Sequence, residues 1–489
     1  MSRSSVDGGT RVERAPSERR LTLRRRLPRA AEIAALALLA AAVAWTGCDR
    51  TPARPNIVII VLDTVRRDHT GVAREGTSAT PVLDGLAAEG TTFTNVWANG
   101  PWTVPSHASM FSGLLPSSHK CTGHNHLFRT TSPTFAERLR DEGYETAAFY
   151  SNPWLGDKLT GMLRGFEQFA VDPEDEMEVF HRGDQGGSRT AANVQEWLAE
   201  RAAGRPFLMF VNLLEPHLPY DPPEEYRRTH LPDLRPDDVF KTAWALEFNA
   251  GILAPERVDF ERLGRLYAGD VSTADGYLGT ILDALNEHVD MENTVVVVTS
   301  DHGENLGDHG FMDHQFGLFE TLIEVPLVVL APGLIPPGRR DDPAMLSDLY
   351  DTVLDVAGVA EGPDTPHSRS LAGPPARPDR PMISEYTGAN ARLIEALKEL
   401  NPDLDTSRVE LAFSKVRVGS VELTVASDGS RTLYDVAADP LRTKNLADER
   451  PGLVNVLLDV MPVVELPPGT ELEIDEEMRE RLRSLGYIR

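Results

Sequence analysis

A continuous apolar run, NIVIIVLD, occupies residues 56–63 and ends in an acid. Continuous rather than alternating hydrophobicity is typical of a β-strand that is buried on both faces. Four similar runs follow, at residues 145–151, 206–214, 293–301 and 325–331. A sheet built from such strands needs helices on both of its faces.

Helical patterns lie between these runs and complete the prediction of the fold class. They stand at residues 80–90, 132–143 and 259–288. Buried strands that alternate with helices indicate an α/β sandwich with a mainly parallel central sheet. In sheets of this kind the chemistry is found at the carboxyl ends of the strands.

The pattern changes beyond about residue 405. Three alternating segments, LAFSKVRVG, VELTVASDG and RTLYDV, are separated by glycine-containing turns, which predicts a small C-terminal antiparallel sheet. An insertion helix is expected within residues 386–409, and the amphipathic residues 475–489 predict a closing helix. We therefore expect a catalytic domain at 54–385 and a C-terminal subdomain at 386–489.

Residues 1–48 predict an export segment. An arginine-rich stretch precedes 13 apolar residues, Ile33 to Trp45, which are too few to span a bilayer comfortably. The sequence WTGC follows and resembles a bacterial lipoprotein cleavage site at Cys48, although an uncleaved anchor is the alternative. We expect an exported protein of the cell envelope or periplasm, associated with the membrane through Cys48. Cys121 is the one other cysteine, so no disulfide framework is predicted.

The charge of the chain is strongly acidic, with a formal value of −26 over 489 residues. Residues 1–47 hold nine arginines against four acidic residues, so the remainder is more acidic still. Nucleic-acid binding requires clustered Lys and Arg to contact phosphates, and this composition therefore argues against a nucleic-acid partner. Solubility is the simpler meaning of the acidity.

Polar residues cluster where the buried runs end. Asp63 ends the first run, Glu215 and His217 follow the third, and Asp301 and His302 end the fourth. A single aspartate in such a place is commonly a turn cap, and oxygen ligands become diagnostic only in sets. Residues 300–314 add further histidines among acids and glycines, which indicates either a solvated loop or a metal or catalytic site.

The segment PWTVPSHASMFSG, residues 101–113, allows two interpretations of Thr103. Pro105 suits the first turn of a helix, where a missing N–H costs nothing, and threonine is a good N-cap. Thr103 therefore either caps a surface helix or presents its hydroxyl as a nucleophile. The segment alone favours the cap.

Five segments resemble sulfatases of the alkaline phosphatase superfamily. In chain order they are RPNIVIIVLDTVRRDH, TVPSHASMFSGLLPSSH, VNLLEPHLPYDPP, VVVVTSDHGENLGDHG and TLYDVAADPLRTKNLAD. The resemblance extends from Pro55 to Arg489. It implies the alkaline-phosphatase-like α/β sandwich and a metal-dependent hydrolase of sulfate or phosphate esters.

The resemblance also implies a metal site and a nucleophile. Asp63, Asp301 and His302 match metal-ligand positions and would hold one divalent ion, Ca²⁺, Mn²⁺ or Zn²⁺. Thr103 stands where sulfatases carry the cysteine or serine that is oxidised to formylglycine. Threonine cannot form that aldehyde in the same way, because its carbinol carbon bears a methyl group, but it can act as an unmodified alcohol nucleophile.

The remaining site residues are expected from the same resemblance. His217 matches a histidine that contacts the substrate oxyanion, and His314 lies near the proton donor to the leaving oxygen. His119 and Lys120 would contact the anion, although a histidine satisfied by a loop carbonyl is the alternative for His119 and His314. We also expect His107 to be one of the catalytic residues.

Three departures from the sulfatase pattern limit what the resemblance implies. His107 replaces an arginine, so a bidentate clamp on the sulfate is lost. Thr64 replaces a second aspartate that is often present, and His302 stands where many sulfatases have asparagine. Fewer carboxylates and an imidazole shift the expected metal from Ca²⁺ towards Mn²⁺ or Zn²⁺.

Three functions fit these observations. The first is a hydrolase acting on a sulfate or phosphate ester of a small molecule, glycan or lipid, with Thr103 as nucleophile and phosphorus favoured over sulfur. The second is a transferase that moves a phospho-headgroup at the cell envelope. The third is an inactive sulfatase-fold protein that binds anionic glycans, against which the retained Asp63, Asp301 and His302 argue.

Overall fold

The computed structural model describes residues 54–73, 79–156, 159–170, 184–230, 232–233, 239–360 and 365–462. The export segment with Cys48 and the closing helix expected at 475–489 lie outside these residues. Among the helices of the described ranges, none combines the length and the apolar character needed to cross a bilayer.

The strands begin and end close to the predicted apolar runs. In chain order they are β1 (Asn56–Leu62), β2 (Thr91–Phe93), β3 (Val96–Trp97), β4 (Glu145–Tyr150), β5 (Glu167–Ala170), β6 (Phe207–Leu213), β7 (Thr294–Thr299), β8 (Asn305–Leu306), β9 (Met312–Asp313), β10 (Leu327–Leu330), β11 (Gly338–Arg340), β12 (Ala344–Met345), β13 (Met382–Tyr386), β14 (Phe413–Val418), β15 (Val421–Ala426) and β16 (Arg431–Asp435).

The helices fill the intervals between the strands. They are α1 (Pro81–Glu89), α2 (Thr103–Ser112), α3 (Pro116–His119), α4 (Phe135–Asp141), α5 (Gly187–Glu200), α6 (Glu224–His230), α7 (Thr242–Asn249), α8 (Phe260–His288), α9 (Glu320–Ile323), α10 (Asp348–Val356), α11 (Ala391–Leu400) and α12 (Pro451–Leu458).

The large sheet has the spatial order β11-β2-β10-β7-β1-β6-β4-β5. Its central block, β7-β1-β6-β4-β5, is parallel throughout, whereas β10 is antiparallel to both β7 and β2. The predicted α/β sandwich with a mainly parallel sheet is therefore confirmed. The run predicted at 325–331 forms β10, which is antiparallel to β7. A parallel pair needs a long crossover connection, usually a helix, and the segment between β7 and β10 contains none of that length.

Both faces of the sheet are covered, as the continuous hydrophobicity of β1 required. Ile57, Ile59 and Val61 belong to one core together with residues of α2, α4 and α10. The alternate residues of β1, from Val58 to Leu62, belong to a second core with residues of α1, α5 and α8. Successive side chains of a strand point to opposite faces, so β1 is buried between two helical layers.

A separate antiparallel sheet has the order β13-β14-β15-β16. The three alternating segments of the sequence form β14, β15 and β16. The fourth strand, β13, was not predicted, because its sequence MISEY has no alternating apolar pattern and follows a proline-rich loop. Helix α11 lies within the segment where an insertion helix was expected.

Candidate active site

The carboxyl ends of β1 and β7 bring the predicted metal ligands together. Asp63 follows β1 directly, and Asp301 and His302 follow β7 after Ser300. These strands are parallel neighbours, so their ends meet at one edge of the sheet. One ligand atom from each of the three residues lies within 4.8 Å of the others, and all three side chains are buried.

The two carboxylate oxygens of Asp63 differ in their hydrogen bonding. Its Oδ2 accepts hydrogen bonds from the side-chain amides of Asn152 at 2.8 Å and Asn212 at 3.0 Å. Its Oδ1 is buried without a hydrogen-bond partner among the described residues. Burial raises the pKa of Asp63, and the two amides oppose that rise.

Asp301 shows the same division of its two oxygens. Its Oδ1 accepts the backbone N–H groups of Thr64 at 3.2 Å and His302 at 2.9 Å. Its Oδ2 is buried without a hydrogen-bond partner in the described ranges. Burial, followed by the charge of Asp63, raises the pKa of Asp301 well above its usual value. Two carboxylates held this close in an apolar setting favour a cation between them.

His302 presents its second ring nitrogen to the same point. Its Nδ1 lies 2.9 Å from the carbonyl oxygen of Gly303, which assigns the proton to Nδ1 and leaves a lone pair on Nε2. That Nε2 is 3.3 Å from Asp301 Oδ2 and 4.0 Å from Asp63 Oδ1. Two open carboxylate oxygens and one imidazole nitrogen therefore converge, and this donor set fits a divalent cation.

Thr103 lies at this cluster and does not cap its helix. It is the first residue of α2, whose N-cap is Trp102, and it is fully buried. Its Oγ1 is 3.5 Å from His302 Nε2 and 3.4 Å from Asn152 Nδ2. Ser106 anchors the helix by donating its hydroxyl to the Asp301 carbonyl at 2.6 Å. The hydroxyl of Thr103 is therefore directed to the ligand atoms by the fold itself.

His107 contacts the main chain of Thr103 rather than its hydroxyl. Its Nδ1 is 2.9 Å from the Thr103 carbonyl oxygen and 3.5 Å from Asp301 Oδ2. Burial lowers the pKa of His107 to about 4, so the ring is neutral at ordinary pH. A neutral ring in this position supports the start of α2.

His314 and His217 form a second wall of the site. The ring of His314 has its centroid 4.6 Å from that of His302 and 5.1 Å from that of His217. Burial alone would lower the pKa of His314, but Asp313 and Glu304 outweigh it and hold that pKa well above its usual value. Burial and the charge of His314 lower the pKa of His217 to about 4. One of the two histidines is therefore poised to carry a proton and the other to stay neutral.

Glu304, Asp313 and His314 form another group whose ligand atoms lie within 4.8 Å of one another. His314 Nδ1 is 2.9 Å from Asp313 Oδ1 and 3.6 Å from Glu304 Oε1. Both carboxylates thus face the same nitrogen, as they do around an imidazolium. We interpret this group as an ion pair rather than as a second metal site.

Among the described residues, the hydroxyl of Thr103 contacts His302 and Asn152, and His119 makes its contacts elsewhere on α2. His119 is buried against α2 between Pro105, whose backbone it contacts, and Ser109, where its Nε2 is 3.1 Å from Ser109 Oγ, and its Nδ1 accepts the Cys121 N–H at 3.0 Å. Both ring nitrogens are thereby engaged within the protein. Lys120 follows with a positive φ of 61° and a half-buried side chain.

Two asparagines at the site were missed from the sequence. Asn152 comes two residues after β4 and links Asp63 to Thr103, so the strand-end argument applied to Asp63 could have found it. Asn212 lies inside the apolar β6, where a fully buried amide requires a partner. That isolated polar residue was the available signal.

Residues 55–359, which are more than half of the chain, match the family model described as Sulfatase. The chain belongs to the sulfatase family. Its family membership and its site support a sulfuric or phosphoric ester hydrolase.

Individual sulfatases and a related hydrolase resemble this chain at moderate identity. It is 24% identical over 462 residues to a choline-sulfatase of Rhizobium meliloti, covering 83% of this chain and 85% of that protein. It is 24% identical over 451 residues to arylsulfatase K of Canis lupus familiaris, covering 82% and 80%. The crystal structure of a phosphonate monoester hydrolase of Agrobacterium radiobacter superposes with a TM-score of 0.68 at 21% identity, covering 83% of this chain and 95% of that one. The expected alkaline-phosphatase-like fold is therefore confirmed.

Proposed function

We propose that this sulfatase-family chain hydrolyses a monoanionic ester, with phosphorus favoured over sulfur, and that unmodified Thr103 is its nucleophile. The observation that carries the proposal is the 3.5 Å approach of Thr103 Oγ1 to His302 Nε2 at the three-residue ligand group. A threonine that only capped its helix would have no reason to face these ligand atoms.

The residues around Thr103 support a two-step displacement. In the first step, Thr103 reacts as the alkoxide, its hydroxyl proton having passed to solvent, and a bond forms between Thr103 Oγ1 and the central atom of the ester while the bond to the leaving oxygen breaks. His314, which Asp313 and Glu304 favour in its protonated form, supplies a proton to that oxygen. In the second step, water attacks the central atom and gives a proton to the now neutral His314, while Thr103 leaves as the alkoxide. Asn152 donates towards Thr103 Oγ1 and so supports negative charge on it.

Asp63, Asp301 and His302 are proposed to hold one divalent cation, Mn²⁺ or Zn²⁺ in preference to Ca²⁺. The imidazole ligand and the presence of two rather than three or four carboxylates favour the softer ions. Bound there, the cation supplies charge stabilisation to the reacting oxygens. The open Oδ1 of Asp63 and Oδ2 of Asp301 support this assignment.

The charges around Thr103 favour an ester with a single negative charge. In the described part of the chain, no Lys or Arg contacts the side chains of Asp63, Thr103, Asp301 or His302. Two carboxylates balance one divalent cation, and Asp313 and Glu304 offset the charge of His314, so little positive charge remains to offset a dianionic phosphate monoester. Phosphodiesters, phosphonate monoesters and sulfate monoesters each carry one charge.

Phosphorus is favoured over sulfur because of the nucleophile. In a formylglycine enzyme the covalent intermediate is the sulfate ester of a geminal diol, and its second hydroxyl group drives the elimination of sulfate. An ester of threonine has no second hydroxyl group and cannot eliminate sulfate in this way. The covalent intermediate on Thr103 must instead be opened by attack of water at the central atom. We expect this step to be slower for a sulfuryl group, which is less anionic and draws less on a bound cation.

An ester panel tests this proposal. Purified protein titrated with Mn²⁺, Zn²⁺ or Ca²⁺ is assayed with p-nitrophenyl esters of sulfate, phosphate, phenylphosphonate and a phosphodiester. We expect the phosphodiester and the phosphonate to have the largest kcat/KM, and the phosphate monoester to be turned over least. Efficient turnover of the sulfate without activity on either phosphorus monoanion would contradict the preference for phosphorus, and fast turnover of the monoester would contradict the charge argument.

We also propose that the chain is exported and held at the envelope membrane through Cys48. The basic stretch, the apolar run from Ile33 to Trp45 and the WTGC sequence support it. Cell fractionation should find the wild type outside the cytoplasm with the membranes, and Cys48→Ala released from them or mislocalised. A Cys121→Ala variant, which alters the other cysteine, is the control. Unchanged membrane association of Cys48→Ala would show an uncleaved anchor instead.

A further inference from the structure

We propose that Gln185 is a positioning residue, which fixes the backbone of residues 215–219 and thereby the orientation of His217 in the site. The effect of Gln185 on catalysis rests on the function proposed above. Its contacts with residues 215–219, which we call the clamp, do not depend on that function. Gln185 lies just before α5 and is 5% exposed, so its amide is removed from solvent.

The side-chain amide of Gln185 contacts the carbonyl oxygens of three alternate residues in that loop. Its Nε2 lies 3.0 Å from the carbonyl oxygen of Glu215, 2.5 Å from that of His217 and 3.4 Å from that of Pro219. An amide has two N–H groups, so it serves the two nearer carbonyls and contacts the third weakly. Carbonyls buried without a donor would be costly, and Gln185 therefore selects this loop conformation.

A second contact ties the same two segments together in the opposite direction. Glu215 Oε1 accepts the backbone N–H of Gly187 at the start of α5, at 2.6 Å. A Cβ at position 187 would come within 2.1 Å of that oxygen, so the close approach requires glycine. The side chain of Gln185 therefore holds the loop, and the side chain of Glu215 in the loop holds the start of α5. The loop cannot shift along α5 without breaking both contacts.

The orientation of His217 depends on this backbone. His217 Nδ1 lies 2.8 Å from the carbonyl oxygen of Leu218, inside the clamped loop, and its ring packs against that of His314. The hydrogen bond assigns the proton to Nδ1 and directs Nε2 away from the loop. If the loop relaxed, the imidazole would turn with it.

The test compares Gln185→Met, which keeps the shape of the side chain but removes both donors, with Gln195→Met. Gln195 is exposed on α5 and serves as the matched control. For Gln185→Met we expect kcat on the best ester of the panel to fall about 10- to 100-fold with KM within about twofold, since a displacement of about 1 Å can cost that much. Gln185→Asn keeps an amide that is one methylene shorter and should lose less. Gln195→Met should match the wild type.

A double mutant separates positioning from general destabilisation. In a His217→Ala background, Gln185→Met should lower kcat no further, because its effect passes through His217. Equal fold-losses in both backgrounds, or a wild-type kcat in Gln185→Met, would overturn the assignment. Hydrogen exchange of the 214–220 amides, followed by mass spectrometry, should accelerate in Gln185→Met and stay unchanged in Gln195→Met. This measurement needs no substrate, so unchanged exchange in Gln185→Met would refute the clamp even if the protein were inactive. If exchange accelerates but no ester is turned over, only the proposed function is contradicted.

Discussion

Replacing Thr103 with alanine should abolish ester hydrolysis, lowering kcat by at least ~10³-fold, while the cation proposed at Asp63, Asp301 and His302 stays bound. Loss of a nucleophile has effects of this size or larger in enzymes that form a covalent intermediate. The cation should remain because its three proposed ligands come from the ends of β1 and β7, and the Thr103 side chain contributes no carboxylate. Kinetic assays and elemental analysis of the same preparation measure the two quantities together.

Two variants make this result specific. Thr103→Ser keeps the hydroxyl and should retain part of the activity. Thr242→Ala alters another threonine that is the first residue of a helix without capping it, and should behave as the wild type. Peptide mass spectra should show Thr103 unmodified, or carrying a phosphoryl group after a rapid quench with a phosphorus ester. Full activity in Thr103→Ala would exclude the nucleophile.

Changing Asp301 to asparagine should remove both the proposed cation and the activity. Asp301 contributes the open Oδ2, and the neutral amide cannot supply its charge. Loss of a residue that merely supports a ligand costs about 10- to 100-fold in metal affinity, so loss of the ligand itself should cost more than ~10²-fold. We expect the wild type to hold about one divalent ion per chain, at Asp63, Asp301 and His302, because we interpret Glu304, Asp313 and His314 as an ion pair.

The group around His314 provides the control for this stoichiometry. Asp313→Asn alters the ion pair of His314 and leaves Asp63, Asp301 and His302 intact, so elemental analysis should still find about one ion per chain. Two tightly bound ions in the wild type, with one lost in Asp313→Asn, would show that Glu304, Asp313 and His314 are a second metal site. An unchanged cation content in Asp301→Asn would refute the assigned site.

The sequence by itself was sufficient for the central strands of the sheet and for the grouping of the candidate metal ligands. Continuous β-branched runs can be buried only in a strand covered on both sides, so β1, β4, β6 and β7 followed from local composition. Parallel neighbours place their carboxyl ends side by side, and Asp63, Asp301 and His302 were predicted at such strand ends although 237 positions separate Thr64, which follows Asp63, from Asp301.

Contacts between distant segments had to come from the tertiary structure. Helix propensity favoured Thr103 as a cap, and only the docking of α2 against β7, through Ser106 and the Asp301 carbonyl, turns its hydroxyl to the ligands. For His119 the sequence allowed either an anion contact or a histidine satisfied within the protein. In the structure its two ring nitrogens contact Ser109 and Cys121.

Asn152 and Gln185 illustrate the same limit. Each is an ordinary amide in the sequence, and each acquires its role from partners that the fold supplies: Asp63 and Thr103 for Asn152, and the carbonyls after β6 for Gln185. Strand burial is set by the residues of the strand itself. The function of a side-chain amide is set by whichever donors and acceptors face it, and these are brought together only when the chain has folded.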